Sequence, residues 1–375
     1  MDFHAVDNAF EDAVAQGVFP GAVVLVGRED EIVYEQAFGA RSLVPIKCPM
    51  QAGTIFDLAS LTKPLATSVA MMLLVSRQKV RLDDRVTHLF PTFGVLGKHA
   101  VTFRHLLNHS SGLPDWKPYY QDVLQCELRG QTNFVASQAA KRHVFTQIHR
   151  EAPLSPAGQQ SVYSDLGFMV LGEIVETVSG TTLDRFCQER IFNPLGLSST
   201  SFIDLTRLRT RRIQPVEEMI APTEDCPWRK KVLCGEVHDD NAYAVGGVAG
   251  HAGLFSSARG IHQLLARLNG CLRGKDSFLP QALIQEFLSK DETVKNSTRA
   301  LGWDTPSENE SASGQWFSSH SVGHLGFTGT SVWWDLEKNC HIVLLSNRVH
   351  PTRKNEKIRK FRPHIHDLIM QALNP

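Results

Sequence analysis

The sequence has no net charge: 39 Lys and Arg balance 39 Asp and Glu. Without a field of one sign there is no electrostatic reason to expect nucleic acid or an anionic membrane as a partner. There is no Cys-x-x-Cys pair. The seven cysteines (Cys48, Cys126, Cys187, Cys226, Cys234, Cys271 and Cys340) are odd in number and scattered, which fits reduced thiols better than a disulfide framework or a zinc site. A His-Glu-x-x-His zinc-peptidase motif is missing, and so is the Gly-x-Ser-x-Gly elbow of α/β-hydrolases. No apolar run approaches the length of a transmembrane helix. Residues Met1–Asp12 are acidic and amphipathic where a secretory leader is basic and then apolar. As written, the chain is expected in the cytosol, or in the periplasm or outside the cell if a leader has been removed.

What is present is an ordinary globular composition, 42% hydrophobic and 21% charged over 375 residues, enough for one large or two intimately packed domains. The organising stretch is Ile55–Val75. After Pro64 it is apolar on nearly every face, the mark of a helix buried in a core. Proline is tolerated only in the first turn of a helix, so Ser60–Lys63 must be that first turn or its cap. Positions i and i+3 stack one turn apart, which lets Ser60 Oγ meet Lys63 Nζ. A serine hydroxyl needs a base before it can attack at neutral pH, and a desolvated lysine can be one. The spacing alone does not decide, because Ser76-Arg-Gln-Lys79 fits it too and an N-cap serine beside a solvated lysine would look the same.

Along the chain, a first amphipathic helix over residues 3–16 precedes two strands, Gly21–Val26 and Ile32–Phe38, joined by the polar turn Arg28–Glu31. Val101–Pro114 reads as a Thr-capped helix ended by Gly112. Its His105 and His109 have the i, i+4 spacing of a metal pair but no third ligand nearby, so a packed helix end is the preferred reading. Ser161–Gly180 is an apolar helix with Tyr163 and Asp165 at its entrance. Residues 204–235 read as an extended surface excursion, and Gly246–Ser257 as a glycine-rich loop in which backbone approaches backbone or ligand closely. Ser331–Asp335 and Cys340–Asn347 form a second hairpin, and a basic helix from about Lys354 to Leu373 closes the chain. Strands at both ends with helices between them predict an α+β / α/β architecture. Residues 1–85 and 240–375 would form the sheet domain, residues 86–239 an inserted, mostly helical domain, and the active site would lie between them.

Three short patterns occur in order: Ser60-Leu-Thr-Lys63, Tyr163-Ser-Asp165 at a helix entrance, and His324-Leu-Gly326 on a C-terminal strand. They resemble the signature set of serine β-lactamases and penicillin-binding proteins. The tyrosine opening the second element is similar to the class C β-lactamase, DD-peptidase and family VIII carboxylesterase branch. Leu106–Pro114, Gly250–Ser256 and Gly326–Ser331 also look like this branch, so the resemblance spans roughly residues 20 to 350. Two similar triplets are set aside by context: Tyr120-Gln-Asp122 follows no helix entry, and His251-Ala-Gly253 precedes a helix where a strand is needed.

The resemblance implies a β-lactamase-like fold, an antiparallel sheet of N- and C-terminal strands flanked by helices, and an acyl-enzyme on Ser60. Lys63 would stabilise or accept the serine proton. Tyr163, as phenolate or through Lys63, would act as general base and then protonate the leaving group. The main-chain N–H groups of Ser60 and Phe327 would form an oxyanion hole, and Gly326 would leave room for substrate along the strand. Asp165, His324, Gly326 and Phe327 are thus the expected substrate-binding residues, with no metal and no cofactor. In two places the chain departs from the pattern. His324 replaces the usual lysine and is a weak counter-ion at neutral pH, and Asp165 replaces a commoner asparagine and would raise the pKa of Lys63. The expected partner is a small ester, amide, D-amino-acid peptide or β-lactam-like molecule, with no nucleic acid, no membrane span and an unspecified oligomeric state. The alternative is a non-catalytic scaffold or sensor that keeps the fold.

Overall fold

A computed structural model of the chain describes residues 1–373. Its centre is one antiparallel sheet. Gly21–Arg28 (β1) and Glu31–Ser42 (β2) make the first hairpin, and Cys48–Pro49 (β3) pairs with the outer end of β2. Ser321–Leu325 (β4), Ser331–Asp335 (β5) and Cys340–Ser346 (β6) come from the far end of the chain, and the spatial order is β3-β2-β1-β6-β5-β4. The two halves join where β1 runs antiparallel to β6, from Ala22 opposite Ser346 to Arg28 opposite Cys340.

The central strands read as near-continuous apolar runs because both faces of the sheet are covered. Val23 and Leu25 of β1, with Val343 and Leu345 of β6, point into the main core, while Ala22, Val24, Val26, Ile342 and Leu344 point into a second core on the other face. Five helices supply much of the two cores: α1 (His4–Ala15), α2 (Val69–Ser76), α3 (Asp165–Ser179), α4 (Ala258–Leu272) and α5 (Ile358–Leu373). Helices α1 and α5 cover the second core through Val6, Phe10, Phe361, Ile365 and Ile369; the other three pack into the main core. Each such apolar side chain removed from water contributes roughly 1.5–3 kcal/mol.

The helix expected from Ser60 onward forms in three stages. Ala59–Leu61 is a 3-10 turn, Lys63–Ser68 is a widened π-type turn, and regular α-helix begins only at Val69. Pro64, with no N–H to donate, sits inside the widened turn. Val69–Leu74 is buried on every face, as expected. The whole run Ala59–Ser76 is, contrary to the sequence expectation, long and apolar enough to cross a bilayer, with mean hydropathy 1.3, but 83% of it lies buried inside the protein. It is a core helix.

Two further expectations change. Residues 204–235 are not simply superficial: Ile220, Cys226 and Leu233 are buried, and Asp225–Cys226 pairs with Lys231–Val232. Helix α5 starts at Ile358 and not near Lys354. Arg348 donates to the carbonyls of Arg353 and Asn355, and Asn355 to those of Gly17 and Val18, so the intervening residues are held as a turn-rich arm. All seven cysteines are free thiols.

Candidate active site

Ser60 sits where the chain turns from a short strand, Phe56–Asp57, into the helical run. The turn is tight enough to hold Ala59 at φ +48°, a left-handed conformation that an L side chain seldom adopts. Asp57 fixes it: one carboxylate oxygen accepts the Ala59 N–H at 2.8 Å and the other the His238 N–H at 2.6 Å. Burial of Asp57 outweighs these donors, so its carboxyl is pushed upward.

Lys63 is wholly buried and every proton on its ammonium has an acceptor. Nζ lies 2.9 Å from Ser60 Oγ, 2.7 Å from Asp165 Oδ1 and 3.2 Å from the carbonyl of His251. Burial alone would depress its pKa, but Asp165 and then Tyr163 reverse this, so Lys63 is held protonated. The Tyr163 hydroxyl is close enough to interact with both Ser60 and Lys63, and Nζ stands 4.8 Å from the centre of its ring. Burial raises the Tyr163 pKa, and Lys63 only partly offsets it; the resting side chain is a phenol, not the phenolate considered from sequence.

Tyr163 and Asp165 are placed by the residue between them. Ser164 caps α3, accepting the Gly167 N–H; its hydroxyl donates to Pro114 O at 2.6 Å, and its own N–H donates to His109 Nδ1 at 3.0 Å. The His109 ring, 4.7 Å from that of Tyr163, is kept neutral chiefly by burial. The sequence pairing of His105 with His109 therefore dissolves: His105 belongs to the cap of its own helix with Thr102, and His109 buttresses the tyrosine.

On β4, His324 Nδ1 donates to Leu325 O at 2.8 Å, which leaves Nε2 as a buried lone pair without a partner. Burial first, then Lys63 and Arg299, drive its pKa well below the usual value, so it carries no charge at neutral pH. Gly326 is required by the protein's own packing. A Cβ there would meet Thr330 Oγ1 at 1.9 Å and Leu58 O at 2.6 Å, an obstacle that stands whether or not a substrate lies along the strand. Phe327 is half exposed, its ring stacked 5.6 Å from that of His238. The main-chain N–H groups of Ser60 and Phe327 find no acceptor among the described residues.

All seven expected residues thus come together. Six of them, Ser60, Tyr163, Asp165, His324, Gly326 and Phe327, line one cleft of about 620 Å³, with Lys63 buried behind its wall. Sequence reasoning missed Arg299, whose guanidinium lies 5.4 Å from the Tyr163 ring centre, and Arg362, on α5. It also set His251 aside as a look-alike, yet the His251 carbonyl holds Lys63 and its ring is 2.9 Å from Asp239. Only the likeness of Gly250–Ser256 to the family hinted at it. Asp165, Asp239 and His251 each bring a donor atom within 4.8 Å of the others, the one group of three among the described residues that could hold a metal ion. The Lys63 ammonium already supplies the cation beside Asp165.

A profile of the Beta-lactamase family matches residues 6–365. The chain belongs to the beta-lactamase family. Among curated relatives, a "Putative D-alanyl-D-alanine carboxypeptidase" of Escherichia coli K12 is 33% identical over 88% of this chain and 79% of its own length. An "N-acetylmuramyl-L-alanine amidase" of Bacillus subtilis is 32% identical over 92% of this chain and 80% of its own. Among solved structures, a penicillin-binding protein homologue from Pyrococcus abyssi superposes with a TM-score of 0.72 at 21% identity, covering 100% of this chain and 77% of the homologue. EstCE1, described as a hydrolase with promiscuous acyltransferase activity, gives 0.71 at 22% identity over 96% and 97%. These structural likenesses establish the beta-lactamase-like fold, and the family assignment with the curated relatives supports a serine hydrolase.

Proposed function

We propose that the protein hydrolyses small esters or amides, including peptides with a D-amino acid and β-lactam-like rings, through an acyl-enzyme on Ser60. The observation that carries this reading is the contact of Ser60 Oγ with Lys63 Nζ at 2.9 Å, with the Tyr163 side chain beside both. Carboxypeptidase and amidase names among the relatives favour an amide, and a neutral His324 weighs against a substrate whose recognition needs a cation on that strand.

The resting site runs from Asp165 carboxylate through Lys63 ammonium to Ser60 hydroxyl, with the Tyr163 phenol beside the last two. Lys63 passes one proton to Asp165, and its amine takes the Ser60 proton as Ser60 Oγ bonds to the substrate carbonyl carbon. The net effect is one proton moved from Ser60 to Asp165 with Lys63 cationic before and after, so no lasting isolated charge is left in a buried position. The carbonyl oxygen, now carrying the displaced electron pair, is met by the free N–H groups of Ser60 and Phe327. When the tetrahedral adduct collapses, Tyr163 protonates the leaving nitrogen or oxygen and is refilled from Lys63, which recovers its proton from Asp165. Water then attacks the ester by the same steps in reverse roles.

The test is covalent labelling with a fluorophosphonate and with a fluorescent penicillin, followed by p-nitrophenyl esters, D-alanyl anilides and nitrocefin. Ser60→Ala is expected to abolish labelling and to lower turnover by at least about a thousandfold. An unlabelled wild-type protein would instead leave a scaffold or sensor.

A further inference from the structure

Arg362 stands on the first turns of α5 and is only 7% exposed. It has no carboxylate partner among the described residues. Its Nη2 donates instead to two main-chain carbonyls, Gly326 O at 2.9 Å and Thr330 O at 2.8 Å, and its Nε is buried without an acceptor. Arg348, nearby and also without an ion-pair partner among the described residues, donates from Nε to Phe327 O at 2.8 Å. Burial, with Arg348 and Arg359 adding like charge, brings the Arg362 guanidinium down to about 9, which still leaves it charged at neutral pH.

A buried, unpaired cation is costly unless something in the working cycle compensates it. Gly326 C=O and Phe327 N–H belong to one peptide group. A cation bonded to the carbonyl oxygen draws electron density across the amide and makes its N–H a stronger donor, a cooperative effect of roughly 10–30% per bond. Phe327 lines the cleft together with Ser60, and its N–H has no acceptor among the described residues.

We propose that Arg362 is a positioning residue of the oxyanion hole: it fixes and polarises the Gly326–Phe327 peptide, and the negative charge that forms on the substrate oxygen supplies the counter-charge it lacks. This rests on the reading of Ser60 as nucleophile and Phe327 N–H as oxyanion donor. The interaction is worth more once charge has moved onto the oxygen than before, so it favours the transition state over bound substrate. Arg348, bonded to the following carbonyl, holds the same turn but acts on the next peptide group.

The test compares wild type, Arg362→Lys and Arg362→Gln. The lysine keeps the charge; the glutamine keeps a neutral donor. With a p-nitrophenyl ester, Arg362→Gln is expected to lower kcat about 10- to 30-fold with KM within about twofold, a smaller loss than removal of a whole oxyanion donor. Its affinity for phenylboronic acid, which forms a tetrahedral anion on a serine, should fall by the same factor, and Arg362→Lys should recover most of both. Far-ultraviolet circular dichroism and melting temperature report on folding. A folded Arg362→Gln with unchanged kcat and boronate affinity overturns the inference. So does a loss that Arg362→Lys does not relieve. If Arg362→Gln does not fold, wild-type protein labelled with ¹⁵N-arginine decides: boronate binding should shift the Arg362 side-chain signals, and signals that stay in place overturn the inference. Failure of wild type to be labelled by fluorophosphonate would overturn the reading of Ser60 itself, a result separate from either outcome at Arg362.

Discussion

Lys63 illustrates how one substitution in a motif redistributes a proton. Asp165 sits 2.7 Å from its ammonium and, with Tyr163, holds it charged against the pull of burial. On the proposed mechanism, a resting neutral lysine is therefore absent near pH 7, and Asp165 is the terminal acceptor. In Asp165→Asn that acceptor is gone, the Lys63 pKa falls, and the free amine must itself take the serine proton. Since an amine deprotonates at higher pH than a carboxyl, the acid limb of the kcat/KM profile is expected to move to higher pH. Turnover at pH 6 should drop more than turnover at pH 9. Movement to lower pH would mean that Lys63 is already the base in the wild type. At Gly326 the constraint is steric: Gly326→Ala drives a methyl into Thr330 Oγ1 and Leu58 O, with an expected loss of about 1–3 kcal/mol in urea unfolding and a fall in kcat as the Phe327 N–H is displaced. His324 and Asp165 were readable as departures from the sequence pattern, and the structure gives both the electrical consequence expected of them.

At the scale of elements, the hairpins were legible because their apolar runs are long, bounded by polar turns and covered on both faces. The entry to α2 was legible in position but not in form: Pro64 announces a helix start, yet the 3-10 and π-type turns that aim Ser60 and Lys63 depend on Asp57 and on the approach of residues 250–251. The glycine loop met its expectation. A Cβ on Gly250 would lie 2.0 Å from Phe168 O and 2.9 Å from Gly172 N, so α3 and the loop touch backbone to backbone. Contacts between residues far apart in sequence, such as His109 with Ser164 or Arg362 with Gly326, leave no periodic trace, which is why Arg362 was missed and the buttressing part of His109 was not legible. The stretch 204–235 was misread for the same reason, since its buried side follows no period and is set by partners from elsewhere in the chain.

Over the whole molecule, that stretch ties the C-terminal arm to the helical body. Glu224 accepts from Arg353 Nε at 2.6 Å and faces His238 Nε2 at 3.4 Å. Burial opposes its charge, but His238 and Arg353 prevail and hold its carboxyl down to about 2. A carboxyl with a lowered folded pKa stabilises the fold above its unfolded value, near 4.3, and loses that contribution as pH falls toward 2. Glu224→Gln is therefore expected to destabilise the fold by on the order of 2 kcal/mol above about pH 5, seen as a lower melting temperature, with the difference closing as the pH is lowered toward 2. Calorimetry across that range checks it. The seam between β1 and β6 carries a consequence for synthesis. On the ribosome, Ser60 and Lys63 emerge more than 250 residues before β6 and the Gly326–Phe327 peptide. On the proposed reading, a nascent chain that has not yet delivered them is chemically silent, and reactivity toward a fluorophosphonate would report that the two halves of the sheet have met.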